Sequence, residues 1–589
     1  MNNKVYKKIF ILFMIATLSV VCSCSKGKEN NFNFASYKTA EKVPYKIYYE
    51  DEYFDDIASN YNPSLASASA CLALAGFSSE TKKDYDKSAV NAEELFATLG
   101  FSNFLSNEDG INKPTADSFG VYIANKQIED YTLLGITVRG AGYLSEWSSN
   151  FKIDMNDDFA QGFFDASEIY LNHLKDYIQK YEIKGHIKIW TAGYSRGGAT
   201  VNIVAGRIDD ALKNNQNIIS NEVTYTKDDI YAYSFEAPAG KIATLNGNEI
   251  IEKGNDYSNI FTVLNLNDPV PFVAPLDYSF VRYGTDLFLP DIITDLNYEK
   301  QINMVKAKMK DLPNYKTVGD YQIDMFGKEN TKHLKYANMS IYPVLSEFIS
   351  NLCEAIGTKE DYVNKIQPAV RGIFELLYEK TSPRESLINL GINIGRYLVL
   401  YDINGVFLYD LQHNVKKFIK DLRPILNDAI KLLNQELDTD SLTTLITTLL
   451  SAITEIVKLP GGFDSIRPLI HMNNLKALGS AHIPELLLCH ITSLDHNYND
   501  TDLKVTNSFN KLIIKTKSEF SLLINNKEYV YFENNELKSN FVTKIEEDRY
   551  IIYLPSNVDF VVDKKNNIFE YELYNHNNKY KDEVLVKIG

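Results

Sequence analysis

The sequence predicts an α/β fold, a mostly parallel sheet flanked by helices, carrying a large helical insertion and followed by a small C-terminal β domain. Three observations lead there. Between residues 121 and 266 short apolar runs alternate with helix-period segments, the order a parallel sheet requires. From about residue 290 to 459 the pattern becomes almost wholly helical, closed by the breaker run Pro460-Gly461-Gly462. After residue 502 alternating strands return with no helical period between them.

Taken in order, residues 53–77 read as a packing helix rich in small side chains, and 121–124 and 131–138 read as strands. Residues 159–181 place Phe159, Phe163, Ala166, Tyr170, Leu174 and Ile178 on one helical face. Residues 187–190 form a strand, 199–212 a helix, and 230–235 and 259–266 two further strands. In the helical region the Leu/Ile periodicity marks 346–356, 362–378, 387–400, 415–437 and 441–457. The C-terminal strands are expected at 511–516, 528–532, 549–554, 558–562 and 568–573. No internal repeat is present.

A chain of 589 residues calls for about two to four domains. Hydrophobic and charged contents of 45% and 23% allow an ordinary buried core. The net charge of −16, without a basic stripe interleaved with aromatics, excludes nucleic acid as a partner.

The first residues carry a different signal. Lys4, Lys7 and Lys8 precede an apolar run at 9–21, too short to span a bilayer and followed by a polar Asn/Lys-rich stretch, as in an export signal. Val21-Cys22-Ser23-Cys24 resembles a bacterial lipobox, which implies cleavage before Cys24 and lipidation of its thiol. The expectation is an exported cell-surface or periplasmic lipoprotein held at a membrane, with 1–23 as signal peptide and 24–40 as tether. Residues 41–290 would be the α/β core, 291–474 the insertion, 475–500 a return to the core, and 501–589 the β domain. Cys71, Cys353 and Cys489 make no disulfide framework, and there is no CxxC or HExxH for zinc. The stretch from Asp154 starts like a calcium loop but has Phe159 where Gly is needed and Asp165 where Glu is needed. Neither metal nor cofactor is expected.

The chemistry sits in Ile187-Lys188-Ile189-Trp190-Thr191-Ala192-Gly193-Tyr194-Ser195-Arg196-Gly197-Gly198-Ala199, a strand, a GxSxG and a helix start. A serine hydroxyl is a poor nucleophile, so a sharp turn must hold it clear of the backbone where a base can reach it. That turn is possible only where flanking side chains are absent, hence Gly193 and Gly197. The following helix points its N-terminus at the serine, and the Arg196 N–H is placed to meet an oxyanion. Chain order then requires an acid and a histidine downstream. Asp268, in Asn267-Asp268-Pro269-Val270-Pro271, lies just past a strand end, on the rim where such sheets keep their sites.

With these blocks in hand, the stretch from about Tyr53 to Gly284 resembles the class 3 lipases, the fungal-lipase-like branch of the α/β hydrolases. Val138-Arg139-Gly140-Ala141 and Glu146-Trp147-Ser148-Ser149-Asn150-Phe151 are similar to the family's Phe-Arg-Gly-Ser/Thr strand and lid hinge. Gly193 to Ala199 is similar to its nucleophile elbow, Asn267 to Pro271 to its acid block, and Arg282-Tyr283-Gly284 to the Gly block that follows. The resemblance implies Asp268 as triad acid, the Ala141 N–H as second oxyanion donor, and an ester or lipid substrate. Tyr194 and Arg196 stand where the family has His and Leu, and Ala141 where it has a hydroxyl residue. These departures bear on substrate more than on mechanism. Arg196 either faces an anionic group such as a phosphate or carboxylate, or is a solvent-facing or salt-bridged arginine.

Of nine histidines, His482 fits best: Ser480-Ala481-His482-Ile483-Pro484-Glu485 resembles the His-x-Pro-Glu segment of bacterial relatives, a loop into the last core helix. His496 and His333 are the alternatives, and His490 reads as a packing residue. The implied activity is a lipase or esterase working through Ser195, His482 and Asp268. Another acyl hydrolase on the same fold, a phospholipase or thioesterase, stays open, as does an inactive surface-binding lipoprotein. The insertion reads mainly as a packed bundle, with part of one helix lining the site as a possible lid.

Overall fold

The computed structural model describes residues 27–35, 42–76, 87–107, 117–140, 146, 148–153, 158–243, 257–272, 274–311, 340–367, 417, 420, 481–534, 536–546, 549–564, 570–577 and 582–588. Most of the expected insertion, including 387–400, 441–457 and all of 415–437 except Lys417 and Lys420, lies outside these residues, as does the signal peptide with Cys24.

The chain begins with a hairpin, β1 (Lys28–Ala35) and β2 (Lys42–Tyr49), paired antiparallel. Much of the stretch expected as a tether is therefore ordered. Phe32, Ile47 and Tyr49 are buried in the main core, enough apolar anchorage to hold an otherwise Asn-rich strand. Then follow α1 (Pro63–Ala75), α2 (Lys87–Thr98), β3 (Ser102–Ser106), β4 (Val121–Ile128) and β5 (Tyr131–Val138). The α1 helix starts ten residues later than expected, because Asn62 caps it: its Oδ1 accepts the Ser64 and Leu65 N–H groups at 2.9 and 3.0 Å, with Pro63 behind.

Next come α3 (Gln161–Lys180), β6 (Gly185–Tyr194), α4 (Arg196–Lys213), the short β7 (Val223–Thr224), β8 (Ile230–Phe235), β9 (Lys241–Ile242), β10 (Ile260–Leu264), β11 (Phe280–Val281) and β12 (Thr285–Phe288). The central eight-stranded sheet runs β12-β10-β8-β6-β5-β4-β3, with β7 on the end of β6. It is parallel from β12 to β5, and β4 and β3 are antiparallel additions. Period-2 alternation divides its side chains between two cores. Leu133, Trp190, Tyr231, Tyr233 and Phe261 face α1, and Leu134, Ile189, Ile230 and Ile260 face α3 and α4. The α1 helix is apolar all round because it is covered all round, packed between β6, β2 and a helix near the C-terminal end of the core. Its Ser69 Oγ accepts the Trp190 indole N–H at 2.7 Å.

Of the helical region, α5 (Tyr298–Asp311) and α6 (Ile341–Ile356) are described, with a π-helical turn at Tyr362–Ile366. The α5 helix packs on α7 (Pro484–Ser493) through Ile302, Val305 and Met309 against Ile483, Leu486 and Cys489. Two antiparallel sheets follow, built from β13 (Ser508–Lys515), β14 (Phe520–Ile524), β15 (Lys527–Glu533), β16 (Glu536–Ser539), β17 (Val542–Glu546), β18 (Arg549–Pro555), β19 (Phe560–Lys564), β20 (Glu570–Asn577) and β21 (Asp582–Ile588). Their orders are β17-β18-β13-β20-β21 and β16-β15-β14-β19. Leu512, Ile514, Ile552 and Leu554 of the first share one core with Phe520, Leu522 and Val530 of the second, so the unit is a β-sandwich. A bridge between Phe288 and Thr506 and the contact of Phe509 with Phe288 and Tyr342 attach it to the sheet edge and α6.

Candidate active site

Parallel strands held in register bring the residues just past their C-terminal ends together on one rim. Val138 pairs with Gly193, Gly193 with Ser234, and Phe235 with both Tyr194 and Val263. Arg139, Ser195, Glu236 and Asn265 are the residues that leave the sheet at these ends. A site of several side chains follows from this register alone.

Ser195 stands between β6 and α4 at φ 56° and ψ −125°, a backbone conformation costly for a non-glycine residue and typical of a functional turn. Its N–H still donates to the Phe235 carbonyl at 2.8 Å, so the turn is tied to the sheet. A Cβ on Gly193 would lie 2.4 Å from the Gly197 backbone, and one on Gly197 would lie 2.3 Å from the Val138 carbonyl oxygen. Both glycines are therefore dictated by close backbone approach. The Arg196 N–H is the first of α4, where helix geometry supplies no intrahelical acceptor.

Two other segments converge on this serine. His482 Nε2 lies 2.9 Å from Ser195 Oγ, and His482 Nδ1 lies 2.5 Å from Asp268 Oδ2, across 287 and 214 residues of chain. Asp268 is fully buried, and its Oδ1 accepts the Val270 N–H at 2.9 Å. The His482 ring stacks on Tyr194, with centroids 5.0 Å apart. The tyrosine in the GxSxG is thus a flat wall for the imidazole. Ser195 is 2% exposed. His482 lies two residues before α7, just ahead of the N-cap Ile483, and Leu487, Leu488 and Ile491 of that helix pack into the main core beside α1. Past that helix, Asp495 accepts from Ser64 Oγ at 2.9 Å, and Asn497 Oδ1 accepts the Gly27 N–H at 2.8 Å.

The remaining sequence candidates fall elsewhere. His496 is exposed, and His490 is buried in α7, where burial lowers its pKa to about 3. Ala141 and His333 lie outside the described residues. The Arg196 side chain turns away from the serine and is wholly buried. Its Nη1 is 3.5 Å from Glu146 Oε1, its Nη2 donates to the Ser118 carbonyl at 3.1 Å, and its guanidinium lies 3.5 Å over the Phe119 ring. Arg139 binds the same carboxylate, with Nε at 3.1 Å. Burial lowers the Arg196 pKa to about 9. Of the readings of this side chain, the structure shows the salt-bridged one: Arg196 is buried and paired with Glu146.

Sequence reading missed Glu236. It follows β8 on the same rim, fully buried, at φ 45°. Both oxygens of its carboxyl accept the Asn265 N–H at 3.0 Å, and burial, followed by the nearby Asp268, pushes its pKa well above the ordinary carboxylate range. The available signal was an acid directly after β8, the strand that neighbours the one leading to Ser195. Among the described residues no group of three His, Cys, Asp or Glu is placed to hold a metal, and no described helix is long and apolar enough to cross a membrane.

No family model matches the chain, and no curated protein matches it. Among solved structures it is similar to a Rhizomucor miehei lipase–propeptide complex, at 16% identity and a TM-score of 0.25, over 38% of this chain and 67% of that one. It is also similar to a mono- and diacylglycerol lipase from Aspergillus oryzae, at 14% identity and a TM-score of 0.27, over 39% of this chain and 81% of that one. A fungal lipase–inhibitor complex gives 13% identity and a TM-score of 0.27, over 41% of this chain and 83% of that one. Scores of this size assign neither a family nor an activity.

Proposed function

We propose that this protein is a serine carboxylic-ester hydrolase of the lipase/esterase type, acting through Ser195, His482 and Asp268. The observation that carries the reading is the unbroken relay from Ser195 Oγ to His482 Nε2 and from His482 Nδ1 to Asp268, on a strained strand–helix turn. His482 Nε2 takes the hydroxyl proton as Ser195 Oγ attacks the ester carbonyl carbon. Asp268 accepts the Nδ1–H, fixes the tautomer and supports the imidazolium. The Arg196 N–H at the start of α4 and the Ala141 N–H after β5 receive the oxyanion. The carbon–oxygen bond to the leaving alkoxide breaks as that oxygen takes the proton from Nε2, leaving an acyl-serine. Water, deprotonated by His482, then releases the acid. No step calls for a cofactor.

We also propose export and lipidation at Cys24, so that the enzyme acts at a membrane surface. The support is the lipobox-like Val21-Cys22-Ser23-Cys24 after a basic and apolar leader. Metabolic labelling with a fatty-acid probe tests it: label should enter the wild type and not Cys24→Ala.

The enzymatic reading is tested on the full chain in detergent, with p-nitrophenyl esters of graded acyl length and a fluorophosphonate probe. Wild type should turn over and be labelled. Ser195→Ala should lose labelling, and both Ser195→Ala and His482→Ala should lose kcat by at least about 10³-fold. Turnover by Ser195→Ala at the wild-type rate would end the proposal, and the acyl-length series separates lipase from esterase.

A further inference from the structure

Two arginines and a glutamate are buried together beside the serine turn, and the relay uses none of their side chains. Arg139, Glu146 and Arg196 are all 0% exposed. Glu146 Oε1 meets both guanidiniums: that of Arg139 through Nη2 and, at 3.1 Å, through Nε, and that of Arg196 through Nη1 at 3.5 Å. The three residues come from different parts of the chain. Arg139 follows β5, Arg196 opens α4, and Glu146 precedes α3, where the Ser149 hydroxyl donates to its carbonyl at 2.7 Å. The Phe119 ring faces the Arg196 guanidinium. Asp117 approaches from the exposed side, where its carboxylate is 3.5 Å from Lys152.

Buried guanidiniums held side by side repel unless a carboxylate lies between them. Arg196 keeps its charge at neutral pH even with its pKa lowered to about 9. After burial itself, the Glu146 charge bears most on it, and the opposing Arg139 charge comes next. The arrangement matters because of what the two arginine backbones adjoin. The Arg196 N–H is the first of α4, and Arg139 precedes the Gly140-Ala141 peptide whose N–H is the second proposed oxyanion donor. These two stretches already touch: a Cβ on Gly197 would lie 2.3 Å from the Val138 carbonyl oxygen and 3.2 Å from the Arg139 carbonyl carbon. One close backbone contact and one shared carboxylate thus join them. We infer that Glu146 is a positioning residue which, by drawing Arg139 and Arg196 onto one carboxylate, sets the spacing of the two oxyanion donors. A displacement of about 1 Å at such a site costs on the order of 10²-fold in rate.

The inference rests on the serine mechanism proposed above. It is tested in the full chain, with kcat counted per serine that a fluorophosphonate titrates to completion. A variant that only loses stability melts earlier and has fewer titratable serines, whereas a displaced donor slows the serines that remain. Glu146→Gln leaves two guanidiniums facing each other, and should lower kcat per titrated serine about 30-fold with KM within about threefold. A boronic acid that takes Ser195 Oγ as its fourth ligand becomes a tetrahedral anion, so its Ki should rise by the factor by which kcat/KM falls. Arg196→Leu keeps the backbone N–H and leaves Arg139 paired with Glu146, so its loss should be about fivefold. The double variant, Glu146→Gln with Arg196→Leu, has one guanidinium left and should recover to within about threefold of Arg196→Leu.

Wild-type kcat per titrated serine in Glu146→Gln would make the cluster a purely structural ion pair and overturn the proposal. So would a double variant as slow as Glu146→Gln, since Arg196 would then have no share in the effect. Should Glu146→Gln fail to fold, Arg196→Leu decides. Wild-type kcat and boronic-acid Ki in that variant would overturn the proposal, and a parallel change in both would support it. Failure of the relay reads differently: the wild type would take no label, or Ser195→Ala would turn over at the wild-type rate, and the inference would fall with it.

Discussion

Ser195 is positioned by its immediate neighbours, whereas His482 and Asp268 are positioned by the rest of the molecule. Around the serine, the β6–α4 turn, the contact of Gly197 with Val138 and the N–H bond to Phe235 fix the hydroxyl within one strand–helix unit. The imidazole arrives from 287 residues away, and its place depends on α7 lying between α1 and α5. The turn beyond α7 is held in turn by Asp495 on Ser64 and by Asn497 on Gly27. A local device should fail abruptly when a single backbone contact is blocked. A packed device should fail gradually, in proportion to the stability removed.

The sharpest break is Gly197→Ala. Its Cβ would sit 2.3 Å from a carbonyl oxygen of β5, and backbone cannot yield as a flexible side chain would. We expect a loss of activity of at least about 10³-fold and a stability loss of roughly 3 kcal/mol, read by ester turnover and thermal melting. Wild-type turnover in that variant would mean that the turn is far less constrained than its geometry.

Next in size is Asp268→Asn. An amide keeps the shape but presents an N–H2 or a neutral oxygen to His482 Nδ1, so the tautomer with a basic Nε2 is no longer favoured. A fall in kcat of about 10³- to 10⁴-fold is expected, with the melting temperature little lowered. A comparable fall in the melting temperature would instead make Asp268 chiefly a loop-holding residue. Leu486→Ala probes the packed half at its back. Leu486 is fully buried against α5, and its truncation should cost about 3 kcal/mol in stability. Below the melting transition kcat should fall only a few-fold, because His482 is also held by Asp268 and Tyr194. An abrupt loss of turnover in the folded state would erase the distinction between the two halves.

The same contrast explains what could be read from sequence. The strands at 131–138 and 230–235 match β5 and β8 to the residue, because each is a compact apolar run bounded by turns. Ser195 carries a local signature, and Asp268 was legible from its place past a strand end. The β1 strand was not legible: Lys28 to Ala35 is Asn-rich, and it is held as a strand by pairing with β2 and by the burial of Phe32 in a core built by distant residues. β12 and β16 are four residues long and owe their structure to their neighbours in the sheet. In α5, whose Lys-rich outer face dilutes the apolar stripe, the buried contacts are supplied by α7. Glu236 escaped for a related reason. An acid after a strand is unremarkable until the register sets it beside a second acid, and register is a property of pairing.

Asp209 offers the mildest test, because it lies on α4, the helix that begins beside Ser195, but near the opposite end. It is buried, and that burial raises its carboxyl pKa to about 8, with Asn259 Nδ2 donating weakly to it at 3.4 Å. The native state therefore holds a proton that the unfolded chain releases near pH 3.8, and stability falls as pH rises from there toward about 8. Asp209→Asn removes that loss while keeping a neutral polar group of the same shape. Its melting temperature should match wild type near about pH 4 and exceed it increasingly up to about pH 8. Throughout that range kcat should stay at the wild-type value, since the turn that places Ser195 is fixed at the other end of the helix by β5 and β8. If kcat changed together with the melting temperature, the placing of Ser195 would depend on the whole length of α4, and the local half of the site would have to be counted as packed as well.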